Sequence, residues 1–299
     1  MVNYRMEAPL RTVLRVNALY LIGVAVVFSL VSIFARLAFD SGSNALTVVV
    51  LRSVFAGAAL WVLMIARGIP WRLPTAERNW SLALGALLAF ATFALNKAIG
   101  IIPVAIAILI FYTYPLMVGI ASWLTGAERF SLRVAVTLVL AFSGLALALQ
   151  VTGGPLDPSG LAYAVSGAIC WAALMYLSGR VFGGRDSQPH TLYMMLSSAT
   201  LFVLACLVTG DVAFPATLKG WVGFAAVPLT YSVAIIGTMA AVSAVGAMKT
   251  SFYMNFDPVS TIVLAAFVLD QYLTSIQLVG AVLVIVAIFS FRTPAAKAV

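Results

Sequence analysis

Asp257 is the one acidic residue set deep inside an apolar stretch of the chain, and Pro258 follows it directly. A carboxylate there can take up a proton or hold an ammonium; it can equally be tied to Arg, Ser or backbone groups that lock a bend. The proline ring removes a backbone N–H and leaves the carbonyl of Met254 free. By helical spacing, Thr250, Tyr253, Met254, Asp257 and Thr261 share one face. Pro115 stands in similar company, in register with Ile108, Tyr112 and Gly119, and it frees the carbonyl of Phe111. Both segments are expected to bend or break at their prolines, with Pro115, Pro258 and Gly119 as hinge positions.

Four further stripes combine polar and aromatic side chains. Thr92 and Asn96 share a face with Gly85 and Ala89; Asn96 suits either an amino acid's carboxylate or amine, or a hydrogen bond between helices. Tyr163, Gly167, Trp171, Leu174 and Ser178 are in register. Trp171 lies mid-segment, away from the interfacial belt where Trp usually sits. It suits the wall of a pocket for flat apolar ligands, or plain packing. Tyr231, Ser232, Ile235, Thr238 and Met239 form a third stripe, and Ser29 and Ser32 mark a fourth. The expected binding set is therefore Ser32, Thr92, Asn96, Tyr112, Tyr163, Trp171, Tyr231, Tyr253 and Asp257.

Catalysis has little to work with here. His190 is the single histidine, at a loop edge, and makes a poor proton relay. There is no zinc-type His pair, Asp-rich metal motif, Gly-rich phosphate loop or Ser-His-Asp grouping. Cys170 and Cys206 have neither disulfide nor metal spacing. No catalytic residue, metal or cofactor is expected, and an enzyme is disfavoured. An ATP-driven pump would need a nucleotide domain, and a channel would need a filter or a ring of like residues. Only Lys97, Lys249 and Arg52 come near the interior, too few cations for a doubly charged anion.

The elements that must position these side chains follow from composition. Of 299 residues, 63% are hydrophobic and 9% charged, where a soluble domain carries about a quarter charged. The chain is an integral membrane protein. Apolar runs of roughly 20 residues fall at 17–39, 44–66, 79–97, 103–125, 131–150, 158–181, 190–209, 219–242, 248–269 and 274–292. Arg67-Gly68-Ile69-Pro70 and Gly153-Gly154-Pro155 punctuate them; between the eighth and ninth only Gly246 and Lys249 intervene. Thirteen of the 17 basic residues fall on one side, which places both termini in the cytoplasm. The net charge of +8 sets orientation and attracts anionic lipid rather than nucleic acid.

Ten runs divide as five plus five. A shift of about 143 positions sets Pro115 on Pro258, Val139 on Val282 and Leu140 on Leu283, and Glu128 on Gln271. Because five is odd, the second unit enters from the opposite side. The expected fold is all-α, ten transmembrane helices as two inverted five-helix repeats. Its parts are a cytoplasmic tail 1–16, repeats 17–150 and 151–292, and a cytoplasmic tail 293–299.

Leu51-Arg52-Ser53-Val54-Phe55-Ala56, and Tyr114-Pro115-Leu116 followed by Gly126-Ala127-Glu128, resemble the second and fourth helices of the drug/metabolite transporter (EamA-type) superfamily. Asp270-Gln271 stands where a Gly-Glu is usual in the second repeat. Length and aromatic content are most similar to the YddG-type exporters of aromatic amino acids. The resemblance implies a peripheral second helix, with Arg52 structural and Asp40 as its candidate partner. It also implies a secondary transporter of the bacterial inner membrane, exporting small amphipathic solutes, aromatic or apolar amino acids first. Its two halves would rock about a midplane cavity, with the fifth and tenth helices as scaffold or dimer contact. Efflux of other metabolites or cationic drugs is the rival in transport; a membrane-embedded enzyme or lipid-handling protein is the rival from another class. The expected partners are a small-molecule substrate and the lipid bilayer, the protein being a monomer or homodimer.

Overall fold

The computed structural model describes residues 18–128, 131–150, 157–268 and 273–291. The two expected tails, the Gly153-Gly154-Pro155 punctuation and Asp270-Gln271 lie outside the described residues. Among those described, every regular element is a helix, the form that lets a chain satisfy its own N–H and C=O groups in lipid. In order they are α1 (Ala18–Phe39), α2 (Ala45–Ala66), α3 (Thr75–Ile99), α4 (Val104–Phe111), α5 (Tyr114–Leu124) and α6 (Leu132–Ala148), then α7 (Pro158–Phe182), α8 (Ser187–Thr209), α9 (Leu218–Val245), α10 (Ala247–Tyr253), α11 (Phe256–Val268) and α12 (Ser275–Ser290). Eight segments are long and apolar enough to cross a membrane: α1, α2, α3, α7, α8, α9 and the two broken pairs α4–α5 and α10–α11. α6 and α12 are apolar but shorter, with 17 and 16 residues.

Side chains define several starts. Asn44 accepts from Thr47 N–H at 2.8 Å, Asp157 from Ser159 N–H at 2.8 Å, and Asp186 from Gln188 N–H at 2.9 Å. Thr274 and Gln277 form a reciprocal capping box on α12. Gly246, at φ 86°, separates α9 from α10 and leaves Lys249 inside α10.

The two proline-bearing segments break, as expected at Pro115 and Pro258. α4 stops at Phe111 and α5 restarts at Tyr114 with Pro115 in its first turn. α10 stops at Tyr253 and α11 restarts at Phe256 with Pro258 in its first turn. A first-turn proline costs little, because its missing N–H would have had no helical partner. Asp257 N–H donates to the Met254 carbonyl at 3.0 Å, so the carbonyl expected to be spare is occupied. Pro228, by contrast, is accommodated inside an unbroken α9.

Packing runs mainly between the two halves of the chain. α1 lies along α9 and α3 along α7; α3 also meets α8, and α2 meets α9. α1 touches α11 as α7 touches α4 and α5, while α2 pairs with α8 and α6 with α12. Exchanging first-half helices for their second-half counterparts turns each of these contacts into another, or into itself. α6 and α12 approach most closely at Gly144 and Gly280. A Cβ on Gly144 would lie 2.9 Å from the Gly280 carbonyl, and one on Gly280 would run into the backbone of Ala148. Small residues at such a crossing are how membrane helices come close.

Candidate functional site

The two breaks adjoin. The Tyr112 hydroxyl, at the end of α4, donates to Asp257 Oδ2 in the first turn of α11 at 2.5 Å. Thr261 Oγ1, one turn on, donates to Asp257 Oδ1 at 3.3 Å. The start of a helix favours a carboxylate, since its free N–H groups carry partial positive charge. This one link therefore joins the discontinuity of the first half to that of the second.

The break in the first half also gathers aromatic rings. Phe111, Tyr112 and Tyr114 flank it, and Trp171 reaches in from the middle of α7. Phe111 lies 5.7 Å from Trp171 and 6.0 Å from Tyr112 between centroids; Tyr114 lies 5.7 Å from Tyr112 and 6.2 Å from Trp171. All these pairs are tilted or edge-on, the geometry ring quadrupoles prefer.

This cluster forms part of the wall of a cavity of about 330 Å³, at the small end of the range for small-molecule sites. Phe28 and Ser32 of α1, Arg52 of α2, Thr92, Leu95, Asn96 and Ile99 of α3, and Ile108 of α4 line it. So do Leu149 beyond α6, Met175 of α7, Thr238 of α9, Met254, and Pro258 and Ile262 of α11, together with the aromatic cluster, Asp257 and Thr261. Its wall is mostly apolar with a few polar groups. Thr92 is nearly buried, whereas Asn96 is exposed and donates to the Thr92 carbonyl at 2.9 Å.

Six expected binding residues thus meet at one cavity: Ser32, Thr92, Asn96, Tyr112, Trp171 and Asp257. Three others do not line it. Tyr163 packs edge-on against Phe93, at 6.2 Å. Tyr253 is turned to Phe252 and Phe291, at 6.1 and 6.3 Å. Tyr231 stands behind the wall, between Phe28 and Arg52. Helical spacing had placed each on a face; it could not tell which neighbour that face meets. Of the hinge positions, Pro115 and Pro258 stand at the breaks. Gly119 sits in regular α5, where a Cβ would come 3.2 Å from Leu138 Cδ1.

Arg52 departs most from expectation. It is no peripheral residue paired with Asp40; Asp40 pairs with Arg36 at 2.8 Å. Arg52 reaches the cavity instead, with its Cζ 4.4 Å from the centroid of the Tyr231 ring. A charge at the centre of a membrane helix costs about 2.5–3.5 kcal/mol, and among the described residues no carboxylate pairs with this one. The usable sequence signal was an Arg well inside an apolar run. His190 does stand beside a loop, in the first turn of α8, but it is buried, at 2% exposed. It stacks on Phe182 at 5.0 Å, with Nδ1 2.9 Å from Ser81 Oγ. Nearby, Arg185 holds Glu77 at 2.6 Å. No group of three metal-binding side chains occurs among the described residues.

A membrane-embedded helical bundle with two interrupted helices meeting at a small, amphipathic cavity has the build of a small-molecule transporter. The chain belongs to the EamA-like transporter family, whose profile matches it twice, over residues 16–150 and 158–293. It is 25% identical over 254 residues, 81% of each chain, to the uncharacterized transporter YvbV of Bacillus subtilis (strain 168). A solved crystal structure superposes on it with a TM-score of 0.80 at 17% identity, covering 91% of this chain and 96% of that one; this likeness concerns the fold. Family and relative alike point to a multi-pass membrane transporter of small molecules, not an enzyme.

Proposed function

We propose that the protein exports small amphipathic metabolites, aromatic and apolar amino acids first, across the bacterial inner (plasma) membrane by alternating access. The observation that carries this reading is the meeting of the aromatic cluster with Asp257 in one small cavity at both helix breaks. Rings of Phe111, Tyr112, Tyr114 and Trp171 suit a flat apolar side chain, and the carboxylate suits an ammonium. In this reading the chain crosses the membrane ten times as two inverted five-helix repeats, with both termini cytoplasmic. The twofold match of the family profile and the exchange symmetry of the helix contacts support it.

The units that rock are not the sequence halves, since the long interfaces α1–α9 and α3–α7 each join one half to the other. One unit is α1, α2, α9 and α10–α11; the other is α7, α8, α3 and α4–α5. The breaks at Pro115 and Pro258 lie where these units meet, and α6 packed on α12 serves as scaffold. Proteoliposomes holding the purified protein are expected to move labelled phenylalanine, tryptophan or threonine. Failure to move any amino acid would overturn the proposal.

A further inference from the structure

We infer that Arg52 is the anion-receiving group of the cavity, its guanidinium binding the carboxylate of the solute. It lies eight residues into α2, inside a segment able to cross the membrane. Among the described residues it forms no ion pair and donates no hydrogen bond. Three other arginines, by contrast, are engaged near a helix end: Arg36 with Asp40, Arg185 with Glu77, and Arg180 with the Tyr176 hydroxyl at 3.0 Å.

What holds Arg52 is a ring. Tyr231 lies 4.4 Å below Cζ, and Phe28 braces Tyr231 edge-on at 6.3 Å and 87°. An aromatic face compensates part of the charge and fixes the plane of the guanidinium, yet leaves its N–H donors unused. Nε is enclosed and has no acceptor. A fixed, planar fork with free donors, on the wall of a cavity, is complementary to a carboxylate. One cation serves one carboxylate, which agrees with a singly charged head group.

Asp257 is the acidic group of the same cavity, and its two hydrogen bonds come from hydroxyls rather than from a cation. A solute bearing both an ammonium and a carboxylate answers both charges. This assignment rests on the amino-acid reading for the identity of the solute, but not for the carboxylate at Arg52.

Three probes separate the two. Quenching of tryptophan fluorescence on detergent-purified protein is titrated with phenylalanine, 3-phenylpropionate (carboxylate only) and phenethylamine (ammonium only). In Arg52→Gln, the first two are expected to weaken by about tenfold or more, with phenethylamine held within about twofold. Arg52→Lys keeps the charge without the fork, so it should fall between wild type and Arg52→Gln; it also serves if Arg52→Gln does not fold. Equal weakening of all three probes, no weakening of any, or no binding of 3-phenylpropionate to wild type would overturn the assignment. Wild type that binds 3-phenylpropionate through Arg52 but transports no amino acid would sustain it and sink the transport reading. Phenylalanine transport with binding unchanged in Arg52→Gln would do the reverse.

Discussion

In the proposed reading, Trp171 and the two charged residues of the cavity divide the work of recognition by chemistry. The indole would contribute area and shape, and Asp257 and Arg52 charge, so their removal should have different signatures. Trp171→Ala takes away one wall of an aromatic box that also includes Phe111 and Tyr114. Transport of tryptophan and phenylalanine should fall by about tenfold, and that of threonine by much less, in parallel uptake assays. An equal loss for all three would make Trp171 a packing residue. Asp257, Tyr112 and Trp171 could be picked out before any coordinates, because polarity or bulk in mid-membrane is costly or unusual. Arg52 carried the same signal, but an expected peripheral second helix hid it. Tyr163 and Tyr253 carried a less specific signal: an aromatic residue facing inward also packs well against rings such as Phe93 or Phe291.

At the scale of elements, two interfaces have different jobs. The α6–α12 crossing is closed by Gly144 and Gly280, each with the other helix's backbone in the space a side chain would fill. Gly280→Val should destabilise the protein by about 1–3 kcal/mol through overpacking, read as a lower unfolding temperature in detergent, with substrate affinity unchanged. An unaltered unfolding temperature would mean the crossing is looser than described. The helices themselves were legible as apolar runs, and both prolines pointed to irregular segments. The breaks at these two were legible; that a third proline would leave its helix whole was not. Pro228 has the same ring chemistry inside an unbroken α9, so the outcome depends on what packs around it. At Tyr112 and Thr113 the chain turns where the Asp257 contact and the aromatic cluster hold it.

For the whole molecule, duplication could be suspected from matched prolines and an odd count of spans, but not the way the halves interlace. Which helix lies against which depends on side-chain fit in three dimensions, and apolar faces look alike in one. The interlacing makes a prediction about motion, tested by paired cysteines in a background lacking Cys170 and Cys206. Ser41 and Thr217, whose hydroxyls are 2.8 Å apart, lie at the ends of α1 and α9 in the same rocking unit. Cross-linking them as cysteines should leave transport near the uncross-linked rate. Cysteines at Gly119 of α5 and Met248 of α10 join the two units where these helices meet. Oxidation there should stop transport and reduction restore it. Arrest by both cross-links, each of which ties one sequence half to the other, would return the moving parts to the sequence halves. The central claim, that this cavity carries amino acids by alternating access, is met most directly by counterflow. Proteoliposomes loaded with unlabelled phenylalanine and diluted into a trace of labelled phenylalanine should show a transient accumulation of label above equilibrium. Label that never enters faster than into protein-free liposomes would contradict it.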